Sequence, residues 1–272
     1  VSINEPWCVA WLSHYLGEHA PGLRDLSSAV KASHYVCLGH GLGVQAARAE
    51  TEKPIGVVLN FTPGRLETKT KINTEALERY EAVTNTWYLS AIIKGNYPDV
   101  ALQELEGYLP NSWKSDLQNI KEPIDFIGIN YYTTVLLKSG GDKFPFVEII
   151  ERDLPKTDMG WDVEPAGLRD AINLVSDYAP NLPLYITENG MASKNAIADI
   201  DRIEYYKQHL NEVAKAAETL PVNGYFAWSL LDNFEWALGY DKRFGLVHVD
   251  YETQKRTMKD SFKWWQRELA KK

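Results

Sequence analysis

Two glutamates stand out for the residues around them. Glu5 lies in Ile3-Asn4-Glu5-Pro6-Trp7, and Glu188 lies in Tyr185-Ile186-Thr187-Glu188-Asn189-Gly190. Each closes a short run of strand-forming residues beside asparagine and aromatic side chains. Two carboxylates facing each other across a pocket can cleave a glycosidic bond with retention. One is ionised and attacks, while the other carries a raised pKa, protonates the leaving oxygen and then activates water. Taken alone, either glutamate reads as a solvated or salt-bridged carboxylate at a loop start. The six histidines show no metal-ligand spacing, and His14 and His19, five apart, are not a helical pair. No metal and no cofactor are expected. There is no Gly-x-Ser-x-Gly elbow for a serine hydrolase and no Gly-rich phosphate turn after a first strand.

The elements that must position these residues alternate between strand and helix. Buried parallel strands are expected over 1–4, 54–61, 124–135, 182–188 and 224–231: short, β-branched or aromatic, and ending in polar residues. Helical patterns cover 28–49, 80–94, 165–178 and 258–269, and another helix starts near Asp199 or Asp201. Residues 138–155 read as a long rim loop. Gly39, Gly41 and Gly43 fall inside a helical pattern. The alternation predicts an α/β protein with a parallel sheet, and the polar strand ends favour a (β/α)8 TIM barrel over a doubly wound sheet. No linker divides the chain, so residues 1–272 are expected to form a single partial barrel domain. Strands begin about every 55 residues, so eight units need about 440 residues, within the range for barrels with insertions. The chain has room for about five of the eight βα units. Three units, about 170 residues by the same count, are expected upstream of Val1.

Composition narrows the partners. The chain has 272 residues, 29 Lys+Arg against 37 Asp+Glu, and a formal charge of −8. That sign argues against a nucleic-acid backbone or an anionic membrane as main partner. No run of 18 apolar residues is long enough to span a bilayer. The two cysteines, Cys8 and Cys37, make no disulfide framework, and a reducing, cytoplasmic location is the expectation. Nine tryptophans are many for this length. Their faces suit stacking on sugar C–H surfaces, although core packing is the commoner use.

Further motifs accompany the two glutamates in order along the chain. They are Phe126-Ile127-Gly128-Ile129-Asn130-Tyr131-Tyr132, Met159-Gly160-Trp161, Trp228-Ser229-Leu230-Leu231-Asp232-Asn233-Phe234-Glu235-Trp236 and Arg243-Phe244-Gly245-Leu246. Together with Asn4-Glu5-Pro6 and Thr187-Glu188-Asn189-Gly190, this set resembles glycoside hydrolase family 1, the β-glucosidase family. The resemblance implies Glu5 as acid/base and Glu188 as nucleophile. It implies Asn4 as partner of the sugar 2-hydroxyl, and Tyr132, supported by Asn130, beside the nucleophile. It implies Trp228 as platform beneath the sugar, and Glu235 with Trp236 at the 4- and 6-hydroxyls. Phe244 joins the substrate-binding set, and Trp161 and His19 fall at aglycone-side wall positions. Without the motifs, Asn130 and Tyr132 read as satisfied strand-end residues, Trp228 as core and His19 as a surface histidine. Members acting on 6-phosphorylated sugars lack the acid at the Glu235 position, so the resemblance implies a neutral sugar. It implies a retaining β-glucosidase that also takes galactosides and fucosides. The family's upstream Gln and His-Trp residues, which hold the 3- and 4-hydroxyls, have no counterpart here. The expected partners are a small β-glucoside or oligosaccharide and, to complete the site, an N-terminal complementing segment or a second copy. An inactive fragment or sugar-binding remnant is the alternative expectation.

Overall fold

The computed structural model describes residues 1–271. Residues 2–4 run extended beside β1 (Gly56–Phe61). They are tied to it by Ser2 N–H to Gly56 O (2.9 Å), Glu5 N–H to Val58 O (3.0 Å) and Val58 N–H to Ile3 O (3.1 Å). The expected strand 1–4 is thus reduced to one parallel bridge, Asn4 with Val58. It pairs on one side only, and Val1 stays 68% exposed. After α1 (Leu26–Glu50), β1 continues into the short β2 (Gly64–Leu66). Asp25 caps α1 by accepting from Ser28 N–H. Gly41, inside α1, lets another segment approach, because a Cβ there would lie 1.8 Å from the Asn119 carbonyl oxygen.

The helical pattern at 80–94 begins earlier and is broken once. α2 (Lys71–Glu81) passes through a π-helical turn, Ala82–Thr86, into α3 (Trp87–Lys94). Thr70 caps α2, which explains the earlier start. The wide turn serves the end of β1. Glu81 accepts from Gly64 N–H (2.6 Å), and Asn85 accepts from Thr62 N–H (2.8 Å). Backbone groups that would be orphaned where the strand ends are satisfied this way. Next come α4 (Asp99–Leu105), α5 (Trp113–Ile120) and β3 (Phe126–Tyr131), where the expected strand 124–135 ends short of its predicted limit.

The predicted rim loop 138–155 carries two strand pieces, residues 138–139 and 147–150, and is otherwise irregular. β4 (Val135–Ser139) and β5 (Val147–Ile150) pair antiparallel, and β4 pairs parallel with β2. Gly140, Gly141 and Pro145, which read as loop residues, supply the bend between them. α6 (Pro165–Tyr178) has the expected limits, with proline in its first turn. β6 (Leu184–Asn189), α7 (Ile200–Ala217), β7 (Val222–Ala227), the β8 (Val247–Val249) and β9 (Arg256–Met258) ribbon and α8 (Asp260–Leu269) complete the chain.

β1, β3, β6 and β7 form a parallel sheet in that order. Leu59, Ile127, Ile129, Leu184 and Ile186 pack with α3 and α6 residues in one apolar core. Parallel strands buried on both faces explain the near-continuous apolar runs. The α/β class therefore stands. β7 is an edge of this sheet, where Phe226 is 58% exposed and Leu230, just past the strand, is 60% exposed. Among the described residues no helix is long and apolar enough to cross a membrane.

Candidate active site

The site lies at the C-terminal ends of the parallel strands, where a strand stops pairing and its last side chains are free to converge. Glu5 follows the extended residues 2–4 with φ +48°, and Trp236 has φ +43°. Both sit in the left-handed region, which costs a residue bearing a Cβ about 1 kcal/mol or more and gathers at functional sites. Past Glu5 the chain turns into a π-helix, Cys8–Leu12.

Asn130, at the end of β3 and fully buried, links the strand ends. Its Nδ2 donates to Glu5 Oε1 at 2.8 Å and to Asn4 Oδ1 at 3.2 Å, and its Oδ1 accepts from the Thr187 hydroxyl at 2.6 Å. The register shifts between Ile129 and Asn130, which places Asn130 beside Glu188. Cys8 donates its thiol hydrogen to Glu5 Oε2 at 3.3 Å. Burial, then the Glu5 charge, keeps that thiol protonated far above its usual range.

Glu188 accepts from the Tyr132 hydroxyl at 2.6 Å. Burial pushes Glu188 up to about 7 and the Glu5 charge adds to it, against the opposing donors Tyr132, Asn130 and Asn4. Burial and the neighbouring carboxylates hold the Tyr132 phenol well above its ordinary value, so it remains a donor. Glu235 is likewise pushed up to about 7, by burial first and then by Glu5. Three carboxyl groups thus share one poorly solvated region, an arrangement common where protons are moved.

The other sequence-predicted residues surround them. Trp228, Asn4, Thr187 and Glu188 line one cavity of about 530 Å³. Tyr132, Trp161 and Phe244 pack ring to ring at 5.5 Å, 6.0 Å and 6.2 Å. Phe244 is only 2% exposed, so it backs Tyr132 and Trp161 rather than presenting a face. His19 lies 5.9 Å from the Trp236 ring. Among the described residues no three His, Cys, Asp or Glu side chains are grouped to hold a metal ion.

The segment bearing Trp228, Glu235 and Trp236 is anchored from below by a group that sequence reasoning missed. Asp232 accepts from the fully buried Lys259 (2.8 Å), from Arg243 (2.9 Å) and from Gly245 N–H (2.9 Å). Burial alone would raise the Asp232 carboxyl, but Lys259 and Arg243 outweigh it and hold it below the usual range. Cys8 was missed too, although its place three residues past Glu5 was a usable signal. Gly190 is where β6 and β7 meet: a Cβ there would lie 1.9 Å from the Trp228 carbonyl oxygen. Gly190→Ala is expected to destabilise the chain by at least about 2 kcal/mol, since the neighbour is backbone and cannot rotate away. A melting temperature within 2 °C of the parent would contradict that close contact.

The model of glycosyl hydrolase family 1 matches residues 1–272. The chain belongs to glycosyl hydrolase family 1. It is 42% identical to β-glucosidase A of Thermotoga maritima, over 97% of this chain and 61% of that protein. It is 40% identical to a bifunctional β-D-glucosidase/β-D-fucosidase of Bifidobacterium breve, over 99% of this chain and 63% of that protein. Among solved structures, the family 1 β-glucosidase of Thermotoga maritima in complex with isofagomine lactam superposes with a TM-score of 0.94 at 41% identity. That match covers 98% of this chain and 62% of the other. The chain thus spans somewhat over three fifths of the length of these family 1 relatives.

Proposed function

We propose that this chain carries the catalytic pair of a retaining β-glycosidase acting on terminal β-D-glucosyl residues. The observation that carries the reading is geometric: Asn130 donates to Glu5 at 2.8 Å and stands opposite Glu188 in the β3–β6 register, while the Tyr132 hydroxyl holds Glu188 at 2.6 Å, so two carboxyls are fixed on neighbouring strand ends. Glu188, once ionised, attacks the anomeric carbon while Glu5 protonates the leaving oxygen. A covalent glycosyl ester forms, and Glu5 then takes a proton from the water that hydrolyses it. Asn4, held by Asn130, meets the 2-hydroxyl, where a hydrogen bond strengthens as positive charge develops. Trp228 forms the platform, Glu235 and Trp236 take the 4- and 6-hydroxyls, and Trp161 and His19 form the aglycone wall. Glu235 would repel a sugar phosphate, which supports a neutral glycone. Activity on fucosides and galactosides is part of the proposal, and the naming of the Bifidobacterium relative supports the fucoside part.

In this reading the sheet is five-eighths of a (β/α)8 barrel. Two free thiols support a reducing compartment, and we place the protein in the cytoplasm. The exposed Phe226 on the edge strand β7, and Leu230 just past it, support a second reading. In that case the chain binds sugar, or becomes active, only when a complementing segment or a second copy covers that edge.

Hydrolysis of a chromogenic β-glucoside by material of checked chain mass tests both. Turnover by a 30.9 kDa chain supports the first reading. Glucoside binding without turnover, surviving Glu188→Gln, supports the second. The pH profile is a separate check. With Glu188 near 7, kcat/KM is expected to rise as pH is raised through about 7, because the nucleophile must be ionised. A profile flat between about pH 4 and 9 would remove the two-carboxylate mechanism.

A further inference from the structure

Asn130 is fully buried, so each polar atom of its amide needs a partner inside the protein. On one side stand two acceptors, Glu5 Oε1 and Asn4 Oδ1, and both take hydrogens from Nδ2. A turned amide would set its carbonyl oxygen against them, lone pair to lone pair. On the other side the carbonyl oxygen meets one donor, the Thr187 hydroxyl, at 2.6 Å. Thr187 stands on β6, immediately before Glu188, and Asn130 on β3. The hydroxyl therefore joins three neighbouring chain segments through one amide. Room for it exists because the adjacent β3 residue is Gly128, where a Cβ would lie 2.7 Å from both Thr187 Oγ1 and Cγ2.

We infer that Thr187 is a positioning residue, whose hydroxyl holds the Asn130 amide with its NH2 toward Glu5 and Asn4. Without the hydroxyl the Asn130 carbonyl oxygen is buried and unpaired. It regains a partner only if the amide rotates or water enters, and either change loosens the grip on Glu5 and Asn4. Its effect on rate rests on the glycosidase reading; its effect on the amide does not.

The test compares Thr187→Val and Thr187→Ser in the full chain, with thermal melts to confirm folding. The first readout is the ¹⁵N side-chain amide resonance pair of Asn130, assigned by its loss in Asn130→Asp. The parent and Thr187→Ser are expected to keep this pair protected from solvent exchange, and Thr187→Val to lose the protection. The second readout is hydrolysis of two aryl β-glucosides, one with a good and one with a poor leaving group. Thr187→Val is expected to lose about ten-fold more rate on the poor leaving group, which needs a well-placed Glu5 proton, and Thr187→Ser to recover it. An unchanged amide pair in Thr187→Val, or an equal loss on both substrates, overturns the inference. Should Thr187→Val not fold, Thr187→Ala takes its place with the same expectations. If the parent alone hydrolyses neither substrate, the second reading above is favoured, and the amide readout by itself decides the role of Thr187.

Discussion

Glu188→Gln is expected to reduce β-glucoside hydrolysis by on the order of 10⁴ to 10⁶, because the amide cannot form the covalent ester and no other carboxylate is held at that place. The same substitution is expected to stabilise the protein at alkaline pH. The Glu188 carboxyl stands near 7 in the folded chain against an ordinary value of 4.5. Between those values the folded state binds the proton more tightly than the unfolded one. Stability is therefore fully supported below about pH 4.5 and falls as pH rises through about 7. Glutamine carries no charge to desolvate, so Glu188→Gln should gain on the order of 2–3 kcal/mol at pH 8 and nothing at pH 4.5. Steady-state rates and melts at the two pH values check both parts. Near-parental turnover would remove Glu188 as nucleophile. Equal melting temperatures of variant and parent at pH 8 would show that its burial costs nothing.

Glu5→Gln is expected to divide substrates by leaving group. Glycosides with poor leaving groups should lose roughly 10² to 10⁴ in rate, because the leaving oxygen has no proton donor. An activated aryl glucoside should keep most of its first-step rate, and slow hydrolysis of the glycosyl ester should then produce a burst. Glutamine still offers a carbonyl oxygen to Asn130, so the local packing is retained. Removing the Glu5 charge also removes a cause of the raised Glu188 value, so the acidic limb of the pH profile should move down. Equal losses for activated and poor leaving groups would show that Glu5 is not the acid, and an unmoved limb that its charge does not reach Glu188.

The helix over 165–178 was legible to the residue, because proline at a helix start acts locally, whereas the helix read as 28–49 runs from Leu26 to Glu50 behind an Asp25 cap that the apolar periodicity did not mark. The break at Ala82–Thr86 was not legible. It exists to bring Glu81 and Asn85 to backbone groups some twenty residues earlier in the chain, and that demand leaves no periodic trace. The hairpin of β4 and β5 was hidden for a related reason. Its glycines and proline look the same whether they end a loop or bend a ribbon, and only pairing with β2 decides between them.

By itself the sequence determined an alternating strand-and-helix pattern that carries Glu5 and Glu188 on strand ends, which are local matters of residue type, spacing and periodicity. The places of Asn4, Asn130 and Tyr132 beside them came only from the resemblance of the motifs to family 1. Tertiary structure alone decided what each group experiences. Glu188 and Glu235 stand near 7 because distant segments bury them beside Glu5, and charge and desolvation act through space rather than along the chain. The Asp232–Lys259 pair beneath the Glu235 segment and the Thr187–Asn130–Glu5 chain of hydrogen bonds join residues 27, 57 and 125 positions apart. Hydrogen bonds across such separations depend on the packing of whole strands, which no short word of sequence contains.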